Sequence, residues 1–176
     1  MGKGVSLLSL LTRRQLTISR YDTTTAQGPM NLRLSFQEGI LFAVKHNLKV
    51  SIKASGHDLL GRSTAKGSLL MWTHYLRNIS FSDSFIVGGE DVGSTMTIGS
   101  GVPLNVIYPA AKAQGKMVTA GFASSVVASG GYIQGGGHSP FSPALGLAVD
   151  SVVRECFHEM FLLIYVSFCR VRYSNG

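Results

Sequence analysis

Apolar residues recur at three- and four-residue spacing over residues 36–47. This spacing predicts an α-helix from Phe36 to Asn47 with one buried face. Ser35 and Glu38 have the spacing of a capping box, which places the start of the helix beside Ser35. The residues predicted to form the buried face are Phe36, Ile40, Leu41, Val44 and Leu48.

Alternating apolar and polar residues follow the helix. Lys49–Ala54 alternates around Val50 and Ile52, which predicts a strand that runs into the polar turn at residues 55–58. A helix, a strand and a glycine-containing turn follow one another in this order in α/β units. Further strands are predicted at Ser68–Thr73, Met96–Ile98 and Met117–Thr119.

A second helix is predicted from Pro103 to Gln114. Proline is tolerated in the first turn of a helix, and Gly115 is typical of the residue that ends one. Gly99, Ser100 and Gly101 separate this helix from the strand before it.

The glycines of this chain are clustered. The chain has 21 glycines in 176 residues, and five of them fall within residues 130–137. Each glycine in a helix or strand costs about 0.5–1 kcal/mol relative to alanine, so secondary structure does not account for the cluster. Two glycine-containing segments, residues 54–61 and 121–138, are therefore candidates for exposing backbone N–H groups to an anion such as a diphosphate. The alternative is a set of purely structural tight turns.

Charge and hydropathy argue against a nucleic-acid-binding protein and against a membrane protein. The net charge is +7, but the excess is mostly terminal, and residues 1–33 alone carry +4. No Arg/Lys stripe is interleaved with aromatic residues, so nucleic-acid binding is not expected. The apolar run from Met160 to Phe168 is about half as long as a membrane span, so no membrane segment is expected. The first residues are not a convincing signal peptide, because Arg13 and Arg14 stand where small residues should precede cleavage.

Common nucleotide-binding and catalytic motifs do not occur in the sequence. Gly99-Ser-Gly101 continues into Val102 without the third Rossmann glycine, and Gly115-Lys116 lacks the Ser or Thr of a P-loop. The chain also has no Gly-x-Ser-x-Gly elbow, no His-Glu-x-x-His and no paired Cys-x-x-Cys. Dinucleotide binding by the Rossmann route, kinase chemistry and a metal centre are therefore not expected.

Three segments together carry a resemblance to a known family. They are IKASGHDLLGRS (52–63), GSLLMWTH (67–74) and GGYIQGGGHSPFSPALGLAVD (130–150), in this order. With them, residues 34–153 resemble the FAD-binding domain of fungal berberine-bridge-enzyme-like oxidases, in the vanillyl-alcohol oxidase superfamily. The resemblance implies an α+β fold, a two-lobed PCMH-type FAD-binding domain that is incomplete at both ends. Residues 1–33 and 154–176 are expected to be divergent.

The resemblance also implies which residues contact FAD. His57 occupies the position of the histidine that bonds to the 8α-methyl carbon of the flavin, so the FAD is expected to be bound covalently through His57 at most once. Ala54, Ser55, Gly56 and Asp58 form the turn that cradles the diphosphate. The remaining expected contacts are Gly61, Ser63, Val126, Ala128, Ser129, Gly130, Gly131, Gln134, Gly135 and His138.

The second segment departs from the family pattern at two positions. Ala123 stands where many relatives have a cysteine that bonds to the flavin, which excludes a double covalent link. Val127 stands where glycine is common. His138 and Asp150 are interpreted either as flavin contacts or as structural residues.

The implied function is that of an FAD-dependent oxidoreductase, a flavin-linked oxidase that passes electrons from a small organic substrate to O₂. Family members continue for several hundred residues and add a substrate domain with a catalytic base, so this chain is expected to be a truncated form. No catalytic residue is assigned. The alternatives are a non-catalytic flavin- or nucleotide-binding module and an inactive fragment.

Overall fold

The computed structural model describes residues 16–18, 29–158 and 162–169 of the chain. These residues form two compact units, of which the first ends at Thr73 and the second begins at His74. The two predicted glycine segments fall in different units, residues 54–61 in the first and residues 121–138 in the second.

The first unit contains a parallel sheet and one long helix. Its elements are β1 (Leu16–Ile18), α1 (Pro29–Lys45), β2 (Lys49–Lys53) and β3 (Ser68–Trp72), with a short 3₁₀ turn at Arg62–Thr64. The strand order is β1-β3-β2, and both pairings are parallel. The strands predicted at Lys49–Ala54 and Ser68–Thr73 are confirmed to within one residue.

The helix α1 begins earlier than predicted. It starts at Pro29, so Ser35 lies inside the helix and the predicted capping box is wrong. Proline is favoured in the first helical turn because its fixed φ suits the helix and its missing N–H is not needed there. This backbone preference applies at Pro29, whereas the Ser35–Glu38 spacing arises by coincidence within the helix.

The buried face of α1 also differs from the predicted one. Phe36 and Ala43 are buried, whereas Leu41 is 59% and Val44 is 74% exposed. Phe36 and Ala43 are seven residues apart, which is nearly two full turns, so they share one face of the helix. Leu41 and Val44 lie on other faces of the helix. The small side chain of Ala43 is buried where larger apolar side chains were predicted to be.

Both long helices end in the same backbone motif. At the end of α1 the Leu48 N–H donates to the Ala43 carbonyl, and Asn47 adopts φ = 50°. The second helix, α2 (Leu104–Ala113), ends with the Lys116 N–H donating to the Ala111 carbonyl. Gly115, with φ = 63°, occupies the left-handed position there, as the sequence predicted.

The second unit is built on an antiparallel sheet. Its strands are β4 (Ile79–Ser82), β5 (Ile86–Val87), β6 (Glu90–Asp91), β7 (Thr95–Gly99), β8 (Val152–His158) and β9 (Leu162–Cys169). The sheet order is β4-β7-β9-β8, and a separate hairpin pairs β5 with β6. A kinked turn at Ala128–Tyr132, the short helix α3 (Ser142–Leu145) and a 3₁₀ turn at Ala148–Ser151 lie between α2 and β8.

The core of the second unit lies between α2, β7 and the turn at Ala128–Tyr132. Ile98, Leu104, Ile107 and Ile133 are almost completely buried in it. The strand predicted at Met117–Thr119 is wrong, since residues 117–120 belong to no strand. Val118 and Ala120 are buried in the same core, so burial without a strand ladder explains their apolar character.

Candidate functional site

The first glycine segment is anchored at the point where it leaves β2. The Trp72 indole N–H donates to the Ala54 carbonyl at 3.0 Å, and the Thr73 N–H donates to the Lys53 carbonyl at 3.0 Å. Gly56 has φ = 85°, and a Cβ there would lie 2.8 Å from Lys53 Cε. The positive φ therefore favours glycine at position 56, whereas the close contact is with the far end of the flexible Lys53 side chain.

Asp58 organises the turn that follows His57. Its carboxylate accepts hydrogen bonds from the Arg62 backbone N–H at 2.5 Å and from the Arg62 guanidinium at 2.7 Å. These bonds lower the pKa of Asp58 to about 2 and raise that of Arg62. Asp58 is thus a fixed anion that holds the 3₁₀ turn, and the His57 side chain beside it is exposed.

The other predicted members of this segment are accessible to different degrees. Gly61 is exposed with φ = 70° and is the cap of the 3₁₀ turn, while Ala54, Ser55 and Ser63 are half-buried. The sequence interpretation did not include Arg62, although its i+4 spacing from Asp58 was a visible signal.

The second segment contains the kinked turn at Ala128–Tyr132, in which Ser129 and Gly130 depart from helical backbone angles. Ser129 is completely buried, and its hydroxyl donates to the Gly99 carbonyl at the end of β7, at 2.9 Å. Ala128 and Gly130 are also buried, and Val126 is half-buried. The exposed predicted contacts are Gly131, Gln134, Gly135 and His138.

Two tyrosines hold the ends of this segment. The Tyr108 hydroxyl on α2 donates to the Gly121 carbonyl at 2.6 Å, and the Tyr132 hydroxyl donates to the His138 carbonyl at 2.7 Å. Burial raises the pKa of both, that of Tyr132 to about 12 with a contribution from nearby Tyr108. The sequence interpretation assigned no role to either residue.

Packing within the chain explains some glycines of the second segment and not others. A Cβ at Gly137 would lie 2.7 Å from Ala148 Cβ and 2.9 Å from Tyr132 Cε1. Gly131 is different, because a Cβ there would meet no such neighbour within 4 Å and its φ lies outside the left-handed region. Gly137 is therefore required by the fold, whereas the fold gives no reason for glycine at position 131.

Asp150 has a structural partner. Its carboxylate accepts a hydrogen bond from the Leu147 N–H at 2.7 Å and lies where a Cβ on Gly146 would be. Of the two interpretations given for Asp150, these contacts correspond to the structural one.

The part of the chain that the structure describes contains neither a metal-binding cluster nor a membrane-spanning helix. There, His, Cys, Asp and Glu form no group of three or more that could hold a metal ion. Nor is any helix in the described ranges long and apolar enough to cross a membrane.

Comparison with known proteins identifies the family. The model of an FAD binding domain, FAD_binding_4, matches residues 35–154, which contain both glycine segments. The chain belongs to this FAD binding domain family, and its cofactor is FAD. The predicted resemblance to fungal FAD-linked oxidases and the predicted α+β fold are confirmed.

Individual relatives agree with this assignment. An uncharacterized FAD-linked oxidoreductase of Arthroderma benhamiae is 45% identical over 135 residues, which cover 74% of this chain and 22% of the relative. The crystal structure of the VAO-type flavoprotein MtVAO615 from Myceliophthora thermophila is 36% identical with a TM-score of 0.66, covering 70% of this chain and 22% of that one.

A more distant solved structure shares the fold. It is glucooligosaccharide oxidase from Acremonium strictum, described with a 6-S-cysteinyl, 8α-N1-histidyl FAD. Its TM-score is 0.57 at 21% identity, over 69% of this chain and 24% of that one. Across these three comparisons the chain spans less than a quarter of the length of the protein it matches.

Proposed function

We propose that this chain supplies the FAD-binding portion of a flavin-linked oxidase. The observation that carries the proposal is the family match over residues 35–154, because this range includes both glycine segments and His57. When bound, FAD supplies the redox chemistry: the substrate loses a hydride and a proton, and O₂ takes up two electrons and two protons to give hydrogen peroxide. The residues of the chain bind and orient the cofactor.

The local structure of each segment fits a bound dinucleotide. In the first unit, the residues of the turn at 54–58 lie at the end of β2, and Asp58 and Arg62 hold the following turn in one conformation. In the second unit, Gly131 leaves an uncovered stretch of backbone that a Cβ would fill. Exposed backbone of this kind lets a flat ring or a phosphate approach closely.

His57 is the proposed attachment point. Its side chain is exposed, next to the turn that Asp58 fixes. The bond would join an imidazole nitrogen to the 8α carbon of the flavin. The imidazole would lose its N–H proton and the methyl group one hydrogen, and the two electrons released would pass through the flavin to O₂. Ala123 has no sulfur, so one bond is the most that these two positions allow.

Acid precipitation tests the attachment. The chain is purified with FAD, precipitated in acid and washed, and the flavin absorbance of the pellet is measured. We expect the colour to remain in the pellet and His57→Ala to release it into the supernatant. His138→Ala is the matched control, because it removes a predicted non-covalent contact and should leave the colour in the pellet.

The possible outcomes separate the parts of the proposal. Colour that is lost from the unsubstituted pellet, while the native protein is yellow, would refute the covalent bond and leave FAD binding intact. A native protein that takes up no FAD would refute the FAD-binding role of this chain. Hydrogen peroxide released only when an organic substrate is added would distinguish an oxidase from a non-catalytic flavin-binding module.

A further inference from the structure

The segment at residues 121–138 closes around a single aromatic ring. One edge of the Tyr132 ring faces Gly121, where a Cβ would lie 3.0 Å from Tyr132 Cε2. The opposite edge faces Gly137, where a Cβ would lie 2.9 Å from Tyr132 Cε1. The ring therefore lies between the two ends of the segment. Gly137 is required for it to fit, and a Cβ at position 121 would be tight against it.

Hydrogen bonds fix the same two ends. Tyr108 donates to the Gly121 carbonyl at 2.6 Å, and Tyr132 donates to the His138 carbonyl at 2.7 Å. Burial raises the pKa of both phenols, so both remain protonated donors at neutral pH. Ile133, next to Tyr132 in the chain, is buried in the core, and both tyrosines pack against that core.

We propose that Tyr108 and Tyr132 are positioning residues for FAD, which hold both ends of the segment so that the backbone at Gly131 stays open to the cofactor. This inference rests on the proposed function. Gly131 lies between the two fixed ends, so a shift of either end changes the shape of the surface at Gly131. Neither tyrosine needs to touch the flavin for this role.

The substitutions Tyr132→Phe and Tyr108→Phe test the proposal in the full chain. Each removes one hydroxyl and keeps the ring, and Tyr75→Phe is the matched control, a tyrosine of the same unit outside the segment. FAD binding is followed by flavin fluorescence in the His57→Ala background, where binding is reversible. We expect Tyr132→Phe and Tyr108→Phe each to raise the Kd of FAD about fivefold to tenfold and to alter the visible flavin spectrum, and Tyr75→Phe to change neither.

Amide hydrogen exchange provides a readout that is independent of FAD. We expect Tyr132→Phe to speed exchange within residues 121–138 more than in β7. Unchanged exchange in the segment would show that the Tyr132 hydroxyl does not hold the end of the segment, and would overturn the proposal. A lowered Tm with an unchanged Kd and spectrum would overturn the positioning role and leave only a structural one. If the unsubstituted chain bound no FAD, the proposed function would fail first, and the positioning role would fail with it.

Discussion

Gly131 and Gly137 belong to one glycine cluster and have different physical reasons for being glycine. Gly137 has φ = 76° and lies against Ala148 and Tyr132, so it serves the packing of the chain. Gly131 has neither a left-handed φ nor a close neighbour. Of these two glycines, Gly131 is therefore the one at which the backbone of the segment is open.

Alanine substitutions at these two positions should therefore have opposite effects. Gly137→Ala is expected to lower the free energy of unfolding by about 1–3 kcal/mol, because the added methyl overlaps its neighbours. Gly131→Ala is expected to leave stability unchanged or raise it by about 0.4–1 kcal/mol, and to weaken FAD binding. Urea unfolding and FAD titration measure the two quantities. Destabilisation by Gly131→Ala equal to that of Gly137→Ala would contradict this division.

The half-buried phenol of Tyr132 makes stability depend on alkaline pH. Its pKa is raised to about 12, while an unfolded tyrosine ionises near 10. The folded state holds the proton more tightly, so this contribution to stability is complete below about pH 10 and is lost as the pH rises through 12. We expect the urea midpoint to fall over this range.

The variant Tyr132→Phe identifies the group. It should show a smaller fall in the urea midpoint between pH 10 and 12, with Tyr108 accounting for part of what remains, because the pKa of Tyr108 is raised as well. Absorbance of tyrosinate at alkaline pH follows the ionisation directly. A fall of the same size in Tyr132→Phe would assign the alkaline transition to other groups.

Among the elements, β7 is the strand on which the second unit depends. It pairs with β4 on one side and β9 on the other, and its Ile98 is completely buried. Ile98→Ala should lower the free energy of unfolding by about 2–5 kcal/mol, the cost of a cavity in a packed core. Ile86 in β5 is 60% exposed, so Ile86→Ala should change it by less than about 0.5 kcal/mol. Equal effects in chemical denaturation would contradict the central position of β7.

An element can be predicted from the sequence when the residues that determine it lie close together in the chain. The strands β2 and β3 and the end of α2 follow from neighbouring residues, such as the alternation at Val50 and Ile52 and the glycine at position 115. The start of α1 was predicted too late in the chain, because Ser35 and Glu38 have the spacing of a capping box although the helix already begins at Pro29. The strands β8 and β9 were not predicted. They pair with each other across a short connection, but β9 also needs β7, which lies far earlier in the chain.

The same limit applies to the candidate site. The sequence identifies the two glycine segments and His57, but it cannot distinguish Gly131 from Gly137. The difference lies in the contacts of Ala148 and Tyr132, which exist only after folding. The hydrogen bond from Tyr108 could not be predicted from the sequence either, since Tyr108 lies 13 residues from Gly121, whose carbonyl accepts the bond.

Most of the chain, residues 35–154, matches the FAD binding domain. Several large apolar side chains within this range are exposed to solvent. Leu59 is 100% exposed and Leu60 is 79% exposed, directly after Asp58, and Phe122 is 90% exposed at the start of the second segment. Each of these side chains therefore lies within one of the two glycine segments proposed to bind the cofactor. Bound FAD or further protein would reduce the apolar surface that water meets there.

The pairing of β7 with β9 also sets the order in which the molecule can form. Thr95 pairs with Cys169, so β7 keeps one unpaired edge during synthesis until β9 has emerged from the ribosome. Pairings so distant in sequence make folding slow. An exposed strand edge is a template for other chains, and the nascent protein carries this hazard for the whole interval between the two strands.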